Sequence, residues 1–352
     1  MNGLFFKYRY KMNMDIDFVI CWVDGNDPEW QEKRQKFLNK PNDAAAVRFR
    51  DWGILRYWFR AVENYAPWVH KIFFVTDNQC PSWLNVNHPK LVLVNHQDYI
   101  PSKYLPTFNT NTIEVNFHRI KGLSDFFVAF NDDMYINAPI TSEYYFHEGV
   151  PCDATLEQVF GGRGYSPDND GWGISVMDYM NTQVLNAHFN RKEVTSKNKK
   201  GWYGNYLGWK YLLQSYMIKL FKRAEFQHLY TPHNEKPFLR STFEQIWEAE
   251  PILLDKTCSR FREDTNLTIY LMRYWQLASN KFYPTEVLSK KKVIQLGKKC
   301  LPDLKRMLFD KDINSFCIND SSDCSYEDYQ MLKPLIVAMF EEKFPKKSTF
   351  ER

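Results

Sequence analysis

The sequence predicts an α/β protein built on an open, mostly parallel sheet. Short apolar runs that end in polar residues recur before residue 140, and stretches with helical spacing lie between them. The composition, with 44% hydrophobic and 25% charged residues, is typical of a globular chain with a large core, and it excludes a disordered or fibrous protein. A length of 352 residues indicates two domains, or one α/β domain with long insertions.

The first part of the chain is predicted to alternate between strands and helices. Asp17–Val23 is an apolar run closed by the turn residues from Asp24 to Pro28, and it is predicted as the first strand. Arg50–Ala66 has apolar residues at helical spacing, and a proline follows where that helix should end. Since α/β sheets bind ligands at the carboxyl ends of their strands, a nucleotide or sugar pocket is expected there. Further strands are predicted at Lys71–Asp77, Lys90–His96 and Asp125–Ile136.

The later part of the chain is predicted to be more helical. Turn-rich sequence runs from Pro139 to Trp172, and its glycines either cradle a phosphate or form a plain loop. Helical patterns dominate from Gly173 to Met272, and Ser315–Ile318 has the pattern of a short strand. We expect residues 15–140 to form the N-terminal part of the core, 141–225 a loop-rich, helical and basic insertion or lid, and 226–352 the C-terminal part of the core.

Charge is distributed unevenly along the chain. The balance of 46 Lys and Arg against 42 Asp and Glu leaves a net charge of +4, which is too weak to indicate nucleic acid as a partner. Between Phe189 and Arg223, however, nine basic residues accompany one acid, a local charge of +8. This stretch and a second one from Lys290 to Arg306 are either solvated faces or surfaces for an anionic glycan or a membrane.

Cysteine usage and the N-terminal sequence indicate a cytoplasmic protein. The seven cysteines form an odd set with no CxxC pair, which is typical of reduced thiols. The basic N-terminal stretch lacks the apolar region of a signal peptide, and no run approaches the roughly 20 apolar residues of a transmembrane helix. Any contact with a membrane is therefore expected to be peripheral.

An acidic pair, Asp132 and Asp133, follows Asn131 in the middle of the predicted strand Asp125–Ile136. Two neighbouring carboxylates at the mouth of a buried strand are costly unless a positive charge meets them. A hard divalent cation that also binds phosphate oxygens is one solution, and a simple turn or helix cap is the other. Asp24 follows another predicted strand in the same way, which favours the interpretation as a cation site.

Several polar residues suit an anionic or sugar ligand. Arg48 and Arg50 could meet an anion while Asp51 caps the next helix, although solvated arginines beside a capped helix would look the same. The segment that contains Asn109, Asn111 and Glu114 offers groups for sugar hydroxyls, or else for helix capping.

Two further residues, His233 and Arg262, have side chains suited to phosphate chemistry. His233 lies between Pro232 and Asn234 in a predicted loop, and its pKa range suits a general base or a nucleophile, although a lone histidine is more often structural. Arg262, like Arg260, offers forked donors for phosphate; the alternative is ion pairing with the acids that follow it.

Four blocks of sequence, given at the end of this paragraph in their order along the chain, carry a family resemblance. A departure lies in the fourth block, where Asp320 is followed by Ser321-Ser322-Asp323-Cys324 and not by the further Asp or Asn that is expected there. Together the blocks resemble the Stealth family of sugar-phosphate transferases, which includes bacterial capsular polysaccharide phosphotransferases and the catalytic subunit of the animal N-acetylglucosamine-1-phosphotransferase. The blocks are Ile16–Trp30 (IDFVICWVDGNDPEW), Arg48–Ile136 (with RFRDWGILRYWF and FFVAFNDDMYI), Tyr230–Ile269 (with TPHNEKPFLRS and SRFREDTN) and Phe316–Glu351 (with FCIND and FPKKSTFE).

The resemblance implies a reaction and a fold. The reaction would transfer a hexose 1-phosphate, such as N-acetylglucosamine 1-phosphate, from a UDP-sugar to a saccharide hydroxyl, forming a phosphodiester in a capsular or extracellular polysaccharide and releasing UMP. The fold would be α/β, with a Rossmann-like, nucleotide-sugar-binding core that is glycosyltransferase-A-like. The acceptor would be a saccharide or a lipid-linked glycan, and the enzyme would be cytoplasmic, with peripheral contact at the inner face of a bacterial plasma membrane left open.

The resemblance also implies roles for residues. Asp132 and Asp133 would hold Mg²⁺ or Mn²⁺, and Asp133, His233 and Arg262 would be catalytic, with His233 as a base or a nucleophile. A metal-dependent glycosyltransferase that releases UDP, and a non-catalytic glycan-binding protein, are the alternatives. The substrate-binding residues would be Asp24, Arg48, Arg50, Asp51, Asn109, Asn111, Glu114, Asn131, Asn319 and Asp320.

Overall fold

The computed structural model describes residues 14–38, 49–158, 170–320 and 324–352, with the backbone alone for 170–173. The strands are β1 (Ile16–Cys21), β2 (Ile72–Thr76), β3 (Leu91–Asn95), β4 (Phe126–Asn131), β5 (Met134–Ile136), β6 (Phe146–His147), β7 (Val150–Asp153), β8 (Glu157–Gln158), β9 (His228–Leu229), β10 (Lys236–Leu239), β11 (Tyr283–Pro284), β12 (Lys291–Gln295) and β13 (Ser315–Asn319).

Helices cover both faces of the main sheet and form most of the middle of the chain. They are α1 (Pro28–Gln35), α2 (Leu55–Tyr65), α3 (Thr110–Val115), α4 (Asp170–His188), α5 (Arg191–Lys197), α6 (Lys199–Tyr203), α7 (Trp209–Leu220), α8 (Arg240–Ala249), α9 (Pro251–Thr257), α10 (Tyr270–Ala278), α11 (Leu301–Phe309) and α12 (Tyr326–Lys343).

The main sheet has five strands in the order β3-β2-β1-β4-β10. The first four are parallel, and β10 runs antiparallel beside β4. The α/β class is therefore confirmed, and the order of the parallel strands is Rossmann-like. The order reverses between β1 and β4, and the crevice beyond their carboxyl ends is where such sheets bind ligands.

The strand β1 shows why the sheet is buried on both faces. Its residues point alternately to two hydrophobic clusters, as the period of a strand requires. Phe18 packs on one face with Trp58 of α2 and with Phe130. Val19 faces the other side, in the cluster that includes Phe243 of α8. A strand that is buried on both faces has apolar residues at successive positions, without alternation. This is the pattern that predicted β1.

The predicted strand Asp125–Ile136 is wrong as a single element. It consists of β4, which belongs to the main sheet, and β5, which pairs antiparallel with β13 in a second sheet of order β12-β13-β5. The acidic pair Asp132 and Asp133 forms the turn between the two strands. The chain changes sheets here because Tyr135 and Ile136 bury their side chains in the core on the α2 side, together with Phe316 of β13.

The helical prediction for Gly173–Met272 is confirmed for α4 to α9 and wrong for β10. The four residues of β10 are all buried and complete the main sheet beside β4. A strand this short shows no periodicity, so the pattern around it hides it. Both β10 and β13 come from the C-terminal third of the chain, and each pairs with a strand that begins before residue 140: β10 with β4, and β13 with β5.

Two properties of the whole chain bear on its environment. All seven cysteines are free thiols. Among the described helices, none combines the length and apolar character needed to cross a bilayer.

Candidate active site

The carboxyl ends of β1 and β4 lie side by side, with Cys21 in register with Asn131. The chain that leaves β1 makes a tight turn in which the Asp24 carboxylate accepts from the Asn26 N–H at 2.9 Å. Gly25 belongs to this turn, and a Cβ there would lie 2.3 Å from the carbonyl oxygen of Phe49. Glycine is therefore required for the close approach of the two segments, and Asp24 holds the turn.

Asp133 meets two side chains from distant parts of the chain. Its Oδ2 lies 3.5 Å from Nε2 of His233, in the loop before β10, and accepts from the Cys317 thiol of β13 at 3.2 Å. The backbone carbonyl of Asp133 accepts from the Ile318 N–H at 2.8 Å, which fixes the turn against β13. Sequence reasoning predicted Asp133 and His233 as members of one site, and the structure brings them together.

The other carboxylate oxygen of Asp133 is available to a ligand. Oδ1 is buried, and no donor among the described residues reaches it. A buried acceptor without a partner is costly, so this atom suits a cation or a donor from a ligand. The possible ligand atoms of Asp133, His233 and Cys317 all lie within 4.8 Å of one another. Burial raises the pKa of the Cys317 thiol well above its ordinary value, so the thiol is protonated and a poor metal ligand.

Asp132 adds a second carboxyl to this end of β4. Desolvation of the carboxyl by the protein around it and, after it, the negative charges of Asp133 and Asp51 raise the pKa of Asp132, while another part of the residue faces solvent. Repulsion between neighbouring carboxylates is the second cause of this shift, and a bound cation would relieve it. The pair Asp132 and Asp133 is therefore the set of oxygen donors that fits a hard divalent cation.

His233 is held by neighbours on both sides of its ring. Its Nδ1 is hydrogen-bonded to the Tyr270 hydroxyl at 3.0 Å, while Nε2 faces Asp133. The loop that carries it is held by Lys236, whose ammonium donates to the carbonyls of Pro232 at 2.7 Å and Asn234 at 2.6 Å. Burial, together with the nearby cations Lys291 and Arg273, lowers the pKa of Lys236 to about 7. These contacts fix the imidazole in one orientation beside Asp133.

Glu114 and Arg262 belong to the same electrostatic neighbourhood. Burial in α3 raises the pKa of the Glu114 carboxyl to about 7, against the opposing charges of Arg262, His233 and Lys236. Arg262 is exposed, so its guanidinium can reach a ligand from the solvent side. Glu114 thus lies within electrostatic reach of all three predicted catalytic residues, Asp133, His233 and Arg262.

Asn109 and Asn111 anchor α3, the helix that carries Glu114. Asn109 is fully buried, caps α3 by accepting from the Asn111 N–H at 3.0 Å, and donates to Asn266 at 2.9 Å. The Asn111 amide contacts Met177. The capping alternative describes Asn109, which joins the helix that carries Glu114 to the segment after α9, while Asn111 joins that helix to α4.

A second polar group adjoins the acidic pair. Arg50 donates to the Cys324 carbonyl at 2.8 Å and lies 3.6 Å from Asp320, whose carboxylate also accepts from the Trp52 indole at 3.2 Å. The Asn319 amide donates to Gln295, at the edge of the second sheet.

Asp51 links this group to the acidic pair. Its charge is one of those that raise the pKa of Asp132. The prediction that Asp51 caps α2 is wrong, because its carboxylate accepts from the Gly53 N–H and the cap residue of the helix is Ile54. Between Asp51 and the helix, Trp52 is buried in the core cluster. Arg48 lies outside the described residues.

Three residues of the site were missed by sequence reasoning. Lys236 lies inside the third sequence block and Cys317 inside the fourth. Both are close to residues that were predicted, and that proximity was the available signal. Tyr270 lies just beyond the third block and had no signal at all. It reaches His233 because α10 packs behind the loop, which is a property of the tertiary structure.

Comparison with known proteins gives concordant matches over the chain. Residues 14–41 match the family description "Stealth protein CR1, conserved region 1", and residues 48–152 match "Stealth protein CR2, conserved region 2". The capsular polysaccharide phosphotransferase WcwK of Streptococcus pneumoniae is 35% identical over 97% of this chain and 99% of its own length. The receptor polysaccharide phosphotransferase WefC of Streptococcus oralis is 36% identical over 96% and 99%. The exopolysaccharide phosphotransferase cps2G of Lactiplantibacillus plantarum is 36% identical over 96% of each chain.

Proposed function

The chain belongs to the Stealth family and is a phosphotransferase of polysaccharide synthesis, and from this premise we propose that it transfers a hexose 1-phosphate from a UDP-sugar to a saccharide hydroxyl. UDP-N-acetylglucosamine is the donor we expect first. The products would be UMP and a saccharide carrying a sugar phosphodiester. The acceptor would be a saccharide or a lipid-linked glycan.

One observation carries this proposal: the apposition of Asp133 and His233 at the carboxyl end of β4, with a buried Asp133 oxygen free for a ligand. Phosphoryl transfer depends chiefly on positioning the reactants and on stabilising charge at the phosphate oxygens. His233 can accept a proton, and Asp133 beside it can bind a cation that stabilises charge at the phosphate oxygens. Together they would position the reactants and stabilise that charge.

His233 would handle the proton of the acceptor hydroxyl. As that oxygen forms its bond to the phosphorus that bears the sugar, the bond from this phosphorus to the oxygen bridging to UMP breaks, and the imidazole takes the hydroxyl proton. In the alternative route the imidazole attacks this phosphorus first and UMP leaves; the acceptor hydroxyl then displaces the imidazole, which takes the hydroxyl proton as it leaves. The contact of Tyr270 with Nδ1 orients Nε2 for either role.

Arg262 would bind the phosphate oxygens. An exposed guanidinium presents a planar fork of donors that matches a phosphate and stays charged throughout the reaction. Glu114, buried close by, would hold the arginine or accept from a sugar hydroxyl. Both roles place the diphosphate between α3 and the loop of His233.

A divalent cation, Mg²⁺ or Mn²⁺, fits the residues present. Asp132 and Asp133 would hold it, since Asp133 Oδ1 is buried and unsatisfied among the described residues and the Asp132 carboxyl lies close enough to Asp133 and Asp51 for their charges to add to the rise in its pKa. Such a cation would offset the charge of the donor diphosphate.

The experiment incubates the protein with UDP-sugars, Mg²⁺ or Mn²⁺ and saccharide acceptors, and quantifies UMP and UDP separately. We expect acceptor-dependent UMP, reduced on the order of 10³-fold by Asp133→Asn or His233→Ala. Asp125→Asn is the matched control, since Asp125 is an exposed acid just before the other end of β4.

Accumulation of UDP in place of UMP would contradict the proposal and favour a glycosyltransferase. Donor binding without turnover under all conditions would favour a glycan-binding protein. Transfer of label from a β-phosphate-labelled donor to the protein, lost in His233→Ala, would assign His233 as the nucleophile.

A further inference from the structure

Helix α7 exposes an unusual number of large apolar side chains. Of the nineteen large hydrophobic residues exposed in the described chain, seven lie between Trp209 and Phe221. Four of them, Trp209, Leu213, Tyr216 and Leu220, are 75%, 55%, 46% and 77% exposed. Their spacing of four, three and four residues places them on one face of the helix, which we call the α7 stripe.

The opposite face of α7 is the one that packs on the protein. Ser215 and Ile218 are buried, and the Gln214 amide donates to the carbonyl of Glu157 in β8 at 3.0 Å. The helix is therefore held in place by its own inward face. Within the α7 stripe Tyr216 also packs on Tyr203 of α6, with ring centroids 5.7 Å apart, whereas Trp209, Leu213 and Leu220 face solvent.

Basic residues border the α7 stripe. Lys210 and Lys219 each lie one position from a stripe residue, which at about 100° per residue puts them on opposite flanks. Lys222 and Arg223 follow the C-terminal end, and no acidic residue occurs from 209 to 223. Lys219 lies over the rings of Tyr203 and Tyr216, which leaves its charge beside the apolar face.

This combination points to one class of partner. A soluble anionic polymer would pair with the cations but would leave leucine side chains in water. A membrane-spanning role is excluded for α7 by its twelve residues, which are too few to cross a bilayer. A bilayer surface with anionic headgroups satisfies both features, because apolar side chains enter the acyl boundary while cations meet the headgroups.

We propose that α7, with Phe221, Lys222 and Arg223 at its end, docks this protein on an anionic lipid bilayer. Trp209 and Tyr216 occupy the headgroup level, where such rings are favoured, and Leu213 and Leu220 enter the acyl boundary. The inference goes beyond sugar-phosphate transfer and does not depend on it. Its consequence is that the helical middle of the chain brings the cleft to a membrane surface.

The test is sedimentation of the full chain with vesicles of phosphatidylcholine alone and of phosphatidylcholine with phosphatidylglycerol at 3:1. We expect binding to the anionic vesicles at least about tenfold tighter, weakened in 0.5 M salt, since each surface cation contributes about fivefold in affinity. Leu213→Glu with Leu220→Glu should reduce this binding at least about tenfold.

The control is Ile252→Glu, because Ile252 is 70% exposed on α9, away from the α7 stripe. Circular dichroism and the thermal midpoint should be unchanged in all variants, since the substituted side chains are exposed. The absence of binding to anionic vesicles would overturn the proposal, as would equal loss in Ile252→Glu. A dimer that Leu213→Glu converts to monomers, with vesicle binding unaffected, would assign the stripe to a second copy of the chain.

Discussion

At the scale of single residues, the contact between Tyr270 and His233 is the most informative feature of the site. His233 is partly exposed and lies in a loop, so nothing in its immediate sequence fixes its ring. The Tyr270 hydroxyl at Nδ1 and the Asp133 carboxylate near Nε2 do so. A histidine held in this way keeps one nitrogen directed at the reacting group, which is what general base or nucleophilic catalysis requires.

Tyr270→Phe should impair turnover while leaving donor binding nearly unchanged. Loss of the hydroxyl frees the imidazole to rotate, so we expect kcat to fall about tenfold or more, with KM changed less than about threefold. The pH profile of kcat should also shift, because the hydroxyl no longer contacts Nδ1. The measurement is UMP release as a function of pH.

The matched control for that change is Tyr104→Phe, whose hydroxyl donates to Asp255 at 2.7 Å away from His233. It should leave the pH profile unchanged. An unaltered profile in Tyr270→Phe, with kcat reduced only through lost stability, would mean that Tyr270 is merely structural.

At the scale of elements, buried ion pairs join segments that are distant in the sequence. Arg273 of α10 binds Asp153 of β7 through two hydrogen bonds of 2.7 and 2.9 Å, and both residues are buried. The same guanidinium donates to the Tyr230 carbonyl and the Thr231 hydroxyl, just before the loop of His233. The pair therefore connects the insertion side of the fold to the site.

Arg273→Met should lower the free energy of unfolding by about 3–5 kcal/mol, because Asp153 would be left as a buried, unpaired charge. Adding Asp153→Asn removes that charge, so the double variant should be more stable than Arg273→Met alone. Urea denaturation of the wild type, both single variants and the double variant checks this.

Arg240→Met is the control for the Arg273 cycle, since the ion pairs of Arg240 with Asp125 and Glu244 lie at the surface, beside a hydrogen bond to the Leu123 carbonyl at 3.2 Å. Its cost should stay below about 1 kcal/mol. If the losses in free energy of unfolding from Arg273→Met and Asp153→Asn simply add in the double variant, the unpaired Asp153 charge is not the cause of the loss in Arg273→Met.

At the scale of the whole molecule, stability should depend on pH through buried histidines. His118 lies between α3 and α8, against the rings of Phe243 and Trp247. Burial, together with the cations Arg119 and Arg240, lowers the pKa of His118 to about 4. Because the unfolded chain binds this proton near pH 6.5 and the folded one does not, the contribution of His118 is present above pH 6.5 and lost as the pH falls towards 4.

His118→Gln should remove that part of the pH dependence. Buried acids with a raised pKa, such as Glu114, make the folded state more stable as the pH falls, which opposes the effect of His118. The quantity to measure is therefore the difference in free energy of unfolding between the wild type and the variant at each pH. From pH 7 to pH 4 the wild type should lose up to about 3 kcal/mol relative to the variant, at about 1.4 kcal/mol per pKa unit. Denaturant unfolding at several pH values checks it, and parallel curves would contradict it.

Much of the main sheet could be predicted from the sequence. The strands β1 to β3 lie close to their predicted bounds, because buried parallel strands are continuous apolar runs and their turns carry local signals. The strand β4 and the helix α2 lie inside longer predicted stretches. The strands β5 and β10 could not be separated in this way, since three or four residues show no period and their partners lie far away in the sequence.

The sequence by itself determined the fold class, the acidic pair at the strand end and the residue types that suit phosphate chemistry, because those depend on local patterns. The tertiary structure alone decided that Tyr270 and Cys317 meet His233 and Asp133, 37 and 184 positions away in the chain. It also decided which face of the basic segment is apolar and open to solvent. The physical reason is that hydrogen bonds and exposure depend on how elements pack, and packing joins residues whose separation along the chain carries no local signal.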